Sequence, residues 1–169
     1  TYAAPSGGDR GGTITVGHTS DLDGMNPLST QSYEARQHQI FVNLMTLVRY
    51  NENFEPEPYL AVSWQLSDDG TQLEFILRDD VFWHDGTRTT AQDVAFTLER
   101  AQDPESNFAN AAFFDPYTAV ELVDDRTVRF TMAPHAAPLD PWRATAILPA
   151  HLLGDVPSAE LAAHPFNTQ

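Results

Sequence analysis

Apolar side chains alternate with polar ones in three stretches of the chain, residues 13–17, 73–78 and 127–132. A period of two residues is typical of a strand with one buried face. The third stretch follows a shorter apolar run, residues 120–122, and the polar connector 124–126. Two such runs around a short polar connector predict a β-hairpin in this part of the chain.

Helical spacing predicts a first helix over residues 34–48. Apolar side chains occur there at positions i, i+1, i+4, i+5 and i+8, which places them on one stripe of a helix. We therefore expect a helix whose apolar stripe contacts the core. The members of the stripe are Ile40, Phe41, Leu44, Met45 and Val48.

A second helix is predicted to begin after Thr90, which Asp93 follows three residues later. A hydroxyl at the cap and a carboxylate at the third helical position can each bond a backbone N–H that the helix leaves without a partner. Apolar positions at helical spacing continue to about Arg100, and Asp103-Pro104 predicts the end of the helix.

Two segments before the first helix have the composition of loops. Residues 1–12 are rich in Ala, Ser, Gly and Pro and predict a flexible tether. Residues 26–33, between the first strand and the first helix, offer hydroxyls, an amide and an aromatic ring, which suit a polar organic ligand. An ordinary connection in which Ser32 caps the helix explains the same residues, and both interpretations stay open at this point.

Length and charge narrow the class of protein. The chain has 169 residues, 41% of them hydrophobic, which is typical of one globular domain. Its 24 acidic residues outnumber nine basic residues, all arginine, and the net charge is −15. Such a surface repels phosphate groups, so we expect binding neither to nucleic acid nor, through charge, to an anionic membrane. Without cysteine there is no disulfide, thiolate metal site or cysteine nucleophile.

The acidic residues include three adjacent pairs, Asp68-Asp69, Asp79-Asp80 and Asp124-Asp125. Adjacent residues on a strand face opposite ways, so the spacing alone brings no pair onto one substrate, and we interpret all three as solvated turns. A hydrolase that uses two carboxylates stays an alternative, because its carboxyl groups, roughly 5–10 Å apart, could meet across a cleft.

Neither a metal site nor a cofactor site is predicted. Residues 21–32 begin like a calcium-binding loop, but Met25 and Ser32 stand where an EF-hand has Asp or Asn and Glu. The six histidines show no i, i+4 spacing typical of helical metal ligands. The Gly-x-Ser-x-Gly motif of many hydrolases is absent from the sequence as well.

Residues 73–100 closely resemble the signature of the extracellular solute-binding proteins of the peptide/nickel class, family 5. In these proteins a strand leads through an Asp-Gly turn into a helix that is opened by Thr and ends in Glu-Arg. Residues 21–27, 40–48, 58–70 and 124–130 resemble the flanking regions. The matching motifs are Leu77-Arg78, His84-Asp85-Gly86, Thr90-Ala91-Gln92-Asp93-Val94 and Glu99-Arg100.

The resemblance implies a mixed α/β (α+β) fold, periplasmic-binding-protein-like class II, of which this chain would form part of the amino-terminal lobe. Residues 1–12 would be the tether and residues 13–169 the lobe portion, with the second lobe absent. Family members are much longer, so the resemblance predicts an amino-terminal fragment.

The implied function is that of the substrate-binding component of an ABC importer, a non-enzymatic protein without a cofactor. It would capture oligopeptides, dipeptides or a related small solute and deliver it to a membrane permease. Its location would be extracytoplasmic, either periplasmic or at the cell surface, with membrane attachment only through an amino-terminal lipid anchor outside this chain. A carboxylate-dependent hydrolase and a sensor or protein-interaction module that reuses the lobe remain alternatives.

The resemblance also implies which residues contact the ligand. Carried over to this sequence, they are Thr30, Gln31, Ser32 and Tyr33 in the first loop, with Phe108 in a later loop as a further candidate. Peptide ligands of this class are held largely through main-chain hydrogen bonds, which loop hydroxyls and amides can supply. We expect the signature itself, including His84 and Asp85, to build the lobe rather than to contact ligand.

Overall fold

The computed structural model of the chain describes residues 17, 24, 26–30 and 32–168. The predicted tether, residues 1–12, and all but the last residue of the predicted strand 13–17 lie outside them. The helices and strands, in chain order, are α1 (Tyr33–His38), β1 (Val48–Tyr50), β2 (Pro56–Pro58), β3 (Ala61–Leu66), β4 (Gln72–Leu77), α2 (Ala91–Gln102), β5 (Tyr117–Leu122), β6 (Thr127–Met132), α3 (Asp140–Ala144) and α4 (Ala150–Leu153).

Four antiparallel strands form the main sheet, in the order β3-β4-β6-β5. The predicted strand at residue 73 and the predicted hairpin are confirmed as β4 and as β5 with β6. As the alternating pattern predicts, one face of β4 and β6 is buried and the other carries polar groups. On the polar face, Arg129 bonds Glu74 at 2.7 Å and Glu121 at 3.0 Å.

Helix α2 packs against the buried side of the sheet, and the capping box predicted for it forms. The backbone N–H of Thr90 donates to Oδ2 of Asp93 at 2.8 Å. The helix ends at Gln102, directly before Asp103-Pro104, as predicted. Its buried side includes Val94, Ala95, Leu98 and Ala101.

The core between sheet and helices centres on Trp142 of α3, which is fully buried. Its ring stacks on Phe130 with centroids 4.8 Å apart and meets the edge of Phe114 at 5.1 Å. The indole N–H donates to the hydroxyl of Tyr117 at 3.0 Å. Burial raises the pKa of Tyr117 well above its usual range, so this phenol stays neutral within the core.

The predicted helix over residues 34–48 is wrong in its second half. Helix α1 continues as one π-helical turn, Gln39–Asn43, and Leu44 is already extended. From there the backbone bonds distant segments instead of itself: Leu47 donates to the carbonyl of Trp142 at 3.1 Å, and Ala61 donates to that of Leu47 at 3.0 Å. The stripe therefore divides, with Leu44 buried and Phe41 72% exposed.

Strands β1 and β2 form a separate two-stranded hairpin, which the sequence pattern did not indicate. Pro56 and Pro58 lie in its second strand, a position that proline tolerates because the strand pairs on one side only. Within the described part of the chain, no helix combines the length and the apolar character that crossing a membrane requires.

Candidate functional site

The first predicted site residue, Thr30, is a buried part of the loop before α1. Its hydroxyl donates to the carbonyl of Asn26 at 2.8 Å and accepts a hydrogen bond from Nε2 of Gln39 at 2.6 Å. The same amide nitrogen of Gln39 donates to the carbonyl of Gly24 at 2.9 Å. These contacts fix the shape of the loop against the helical segment that follows it.

Ser32 and Tyr33 stand at the start of α1, while Gln31 lies outside the described residues. Ser32 is the N-cap, and its hydroxyl accepts from the backbone N–H of Ala35 at 3.1 Å. The ring of Tyr33 is 72% exposed. Of the predicted loop residues that the structure describes, Tyr33 thus presents the most side-chain surface to solvent.

Phe108, the candidate from the later loop, belongs to the core. It is 8% exposed, and its ring lies 6.4 Å from that of Phe114. Its neighbours Asn110 and Phe113 face a surface groove instead. The later loop therefore reaches the surface two to five residues beyond the predicted position.

This groove has a volume of about 600 Å³ and lies between the α1 segment, β1, Tyr59, the loop of residues 110–113 and α3. We call it the arginine groove, since arginine supplies all of its charged lining residues. The lining residues are Arg36, Gln37, Ile40, Phe41, Thr46, Arg49, Tyr50, Tyr59, Asn110, Phe113, Arg143 and Ala144. No predicted site residue that the structure describes lines this groove. The loop of residues 30–33 and the later loop at residue 108 are, however, each closely followed by residues that do.

Two of the three arginines are held over tyrosine rings. The guanidinium of Arg49 lies 5.5 Å from the ring centre of Tyr59, and that of Arg143 lies 5.1 Å from that of Tyr50. The hydroxyl of Tyr50 donates to Asp140 at 2.9 Å. Burial, together with this bond, raises the pKa of Tyr50, so its phenol remains a neutral wall of the groove.

Carboxylates outside the groove orient the same two arginines. Nε of Arg49 lies 3.3 Å from Glu57, and Nε of Arg143 lies 3.8 Å from Asp140. Arg36 differs, because among the described residues no carboxylate lies within ion-pair distance of it. Its Nη2 donates to the carbonyl of Thr30 at 3.3 Å. Its Nε is buried without a hydrogen-bond partner in the part of the chain that the structure describes.

The adjacent aspartate pairs are exposed, as the sequence predicted; two lie at turns between strands, and Asp79-Asp80 lies in a bend just after β4. Asp80 accepts two hydrogen bonds from Arg78, both at 2.8 Å, which lower its pKa. Asp79 pairs with Arg126 at 3.2 Å. The carboxylates of this pair are thus engaged with arginines, while Asp69 and Asp124 accept hydrogen bonds from residues of their own turns.

A second cavity, of about 490 Å³, borders the Asp-Gly turn of the signature. Trp83, His84, Asp85 and Phe166 are among its lining residues. Asp85 also lies 2.8 Å from Nε2 of His151, a pairing of the turn with α4 that sequence spacing did not indicate. Among the described residues, no three His, Asp or Glu side chains gather to hold a metal ion.

Comparison with known proteins places the chain in a family. Residues 55–168 match the family described as bacterial extracellular solute-binding proteins, family 5 Middle. A heme-binding protein A from Haemophilus influenzae is 32% identical over 118 residues, which cover 60% of this chain and 21% of that protein. The oligopeptide-binding protein AppA of Bacillus subtilis is 27% identical over 161 residues, 94% of this chain and 29% of AppA.

Solved structures agree with these sequence matches. AppA in complex with a nonapeptide superposes on 86% of this chain with a TM-score of 0.80 at 26% identity. NikZ from Campylobacter jejuni, in complex with Ni(L-His), covers 88% of the chain with a TM-score of 0.74 at 33% identity. The match spans 29% of each of these two structures and 21% of the heme-binding protein, so this chain covers less than a third of the length of these relatives. With its mixed helix-and-sheet fold of the periplasmic-binding-protein type, the chain belongs to family 5 of the bacterial extracellular solute-binding proteins.

Proposed function

We propose that this chain acts in the substrate-binding component of an ABC importer and captures oligopeptides, dipeptides or a related small solute. The family match over residues 55–168 carries the proposal. Relatives that bind an oligopeptide, heme or a nickel–histidine complex support the solute class in its broad form. A membrane permease is the partner in this proposal, and the location is extracytoplasmic, with any lipid anchor outside this chain.

The geometry supports capture rather than catalysis. The arginine groove is open to solvent, and its lining offers rings, amides and guanidinium groups. A tightly held small ligand normally has 70–90% of its surface buried. A groove that is open to solvent along one side cannot enclose a ligand to that extent, so in this proposal the missing cover comes from outside these 169 residues.

For the ligand contacts, we propose the loop and its surroundings in distinct roles. Tyr33, with its exposed ring, contacts the solute directly, and Gln31 beside it contributes an amide. Thr30 and Ser32 hold the backbone of the loop in place through their bonds to Asn26 and Ala35. Phe108 acts from the core by supporting the segment that carries Asn110 and Phe113 into the groove. The lobe portion, residues 13–169, and the tether, residues 1–12, complete the proposed organisation.

Deletion of the gene in the source organism tests the proposal through uptake of isotopically labelled peptides. We expect uptake of at least one solute class to fall, and the wild-type gene to restore it. Normal uptake of peptides, amino acids, heme and metal chelates in the deletion strain would contradict the proposal. Turnover of esters or glycosides by the purified chain would favour the hydrolase instead, and stable capture of a protein without solute uptake would favour a sensor.

The purified 169-residue chain provides a second test. Because the groove is open to solvent along one side, we expect peptides to bind this chain with dissociation constants weaker than about 1 µM. Isothermal titration calorimetry measures this directly. A dissociation constant of about 1 µM or lower would contradict this expectation and show that the chain encloses its ligand by itself.

A further inference from the structure

We infer that the arginine groove selects anionic solutes, namely organic molecules that carry a carboxylate beside a flat or apolar part. This inference rests on the proposed function and extends it by naming the charge of the solute. It is carried by the lining of the groove, where three arginines converge and, among the described residues, no Asp or Glu is present.

The composition of the chain makes this convergence informative. Carboxylates outnumber arginines by 24 to nine, and the whole chain carries a net charge of −15. Averaged over its surface, a chain of this net charge repels anions. A concave site lined by cations within such a field focuses positive potential and raises the local concentration of anions. The groove is therefore a place on the described surface where a carboxylate meets three arginines and no lining carboxylate.

Arg36 is the group in the groove best able to bind an anion. Arg49 and Arg143 are partly neutralised by Glu57 and Asp140. The guanidinium of Arg36 offers five N–H donors, of which one bonds the carbonyl of Thr30, and no carboxylate in the described part of the chain neutralises it. Two N–H groups of a guanidinium match the two oxygens of a carboxylate, which gives a short, charge-assisted pair.

The aromatic rings around the arginines indicate which chemical groups the solute carries beside its carboxylate. Guanidinium groups lie over the rings of Tyr50 and Tyr59, and the exposed rings of Phe41 and Phe113 also line the groove. Such rings favour planar or apolar groups over small inorganic anions. The volume of about 600 Å³ is that of a site for a small organic molecule. An acidic dipeptide and a free aromatic carboxylic acid share this chemistry.

Titration of the chain with matched probes tests the inference. N-acetyl-Glu-Phe carries two carboxylates, and N-acetyl-Gln-Phe-amide is its neutral counterpart, while 3-phenylpropionate represents a free acid. Binding is followed by tyrosine fluorescence and by NMR line positions at low salt. We expect the acidic dipeptide to bind with a dissociation constant of about 1 mM and the neutral one at least roughly tenfold more weakly. Added salt should weaken the acidic probe selectively. If 3-phenylpropionate binds as tightly as the acidic dipeptide, the solute is a free acid. If it binds more weakly, the solute is a peptide.

Charge-removing variants locate the site. We expect Arg36→Gln and Arg143→Gln each to weaken the acidic dipeptide roughly threefold to tenfold. The control is Arg88→Gln, which removes the same charge at a guanidinium stacked on Phe82 outside the groove and should leave affinity unchanged. Circular dichroism melts verify that each variant is folded, and the 44% exposed Arg143 side chain keeps one variant usable if Arg36→Gln unfolds the chain.

Equal affinity for the acidic and neutral dipeptides, or equal losses in Arg36→Gln, Arg143→Gln and Arg88→Gln, would overturn the inference. Failure here is distinguishable from failure of the proposed function. If gene deletion abolishes uptake of neutral peptides while the groove binds no anion, the importer function stands and the charge selectivity is wrong.

Discussion

Oδ1 of Asp93 accepts a hydrogen bond from the backbone N–H of Ala150 at 2.8 Å, across 57 positions of the sequence. Oδ2 of the same carboxylate accepts from the backbone N–H of Thr90 at 2.8 Å and from the indole N–H of Trp83 at 3.3 Å. One buried side chain thus caps the first turns of α2 and α4 and ties the signature turn to both. This explains structurally why a carboxylate stands at that position of the signature.

Asp93→Ala should lower the free energy of unfolding by about 2–4 kcal/mol, because it removes a cap and leaves buried N–H donors without partners. Urea denaturation followed by circular dichroism measures the change. The matched control is Asp68→Ala, at an exposed turn position, which should change stability by less than about 0.5 kcal/mol. Equal effects of the two substitutions would show that Asp93 does not link the helices.

Trp142→Ala should destabilise the fold by about 3–5 kcal/mol, since the ring is fully buried among Phe114, Phe130 and Tyr117. Trp142→Phe keeps an aromatic ring but loses the hydrogen bond to the Tyr117 hydroxyl, so its cost should be smaller, about 1–2 kcal/mol. Thermal melts and the near-ultraviolet circular dichroism of both variants check the order. A Phe variant as unstable as the Ala variant would be inconsistent with this packing.

Acid should weaken the contact between the signature turn and α4. The backbone N–H of Thr87 and the ring of His151 lower the pKa of Asp85 from 3.8 to about 2. Because the pKa is lower in the folded state, the stabilising contribution is present above about pH 4 and is lost as pH falls towards 2. Stability measured from pH 5 to pH 2 should therefore fall less steeply in Asp85→Asn than in the wild type. Parallel pH profiles would contradict the prediction, and Asp68→Asn serves as the control at an exposed turn.

Replacement of Phe54 by glycine should stabilise the chain. It lies in the turn between β1 and β2 with φ of 61°, in the left-handed region, and is 83% exposed. A non-glycine residue there costs about 1–2 kcal/mol, and little buried surface is lost with the ring. We expect Phe54→Gly to raise the free energy of unfolding by up to about 1 kcal/mol, measured by urea denaturation. Phe82→Gly, at an exposed position outside the left-handed region, should destabilise the chain instead.

Short-range sequence information was sufficient for α2 and for the hairpin of β5 and β6. The capping pair Thr90 and Asp93, the stop at Asp103-Pro104 and the alternation around residues 124–126 act within a few residues of one another. Their physical causes are local, namely caps, propensity and a period matched to one buried face. The family signature shares this property, because it lies in one continuous stretch of the chain.

The arginine groove was not predictable in the same way. Its cations come from residues 36, 49 and 143, and no spacing in the sequence relates them. The one available signal was the exclusive use of arginine among the basic residues, together with tyrosines close to Arg49. That signal indicates stacked guanidinium groups but does not place them in one concave site.

The sequence by itself determined the family, strands β4, β5 and β6, α2 with its cap and the turns that the aspartate pairs occupy, since each depends on interactions between near neighbours. Only the tertiary structure decided where the first helix ends, which residues Asp93 and Asp85 bind, and which arginines share a groove. Residues 44–47 leave the helix because the backbones of residues 60–61 and 142–147 supply hydrogen-bond partners in place of the next helical turn. Such partners, distant in sequence, exist only once the chain has folded.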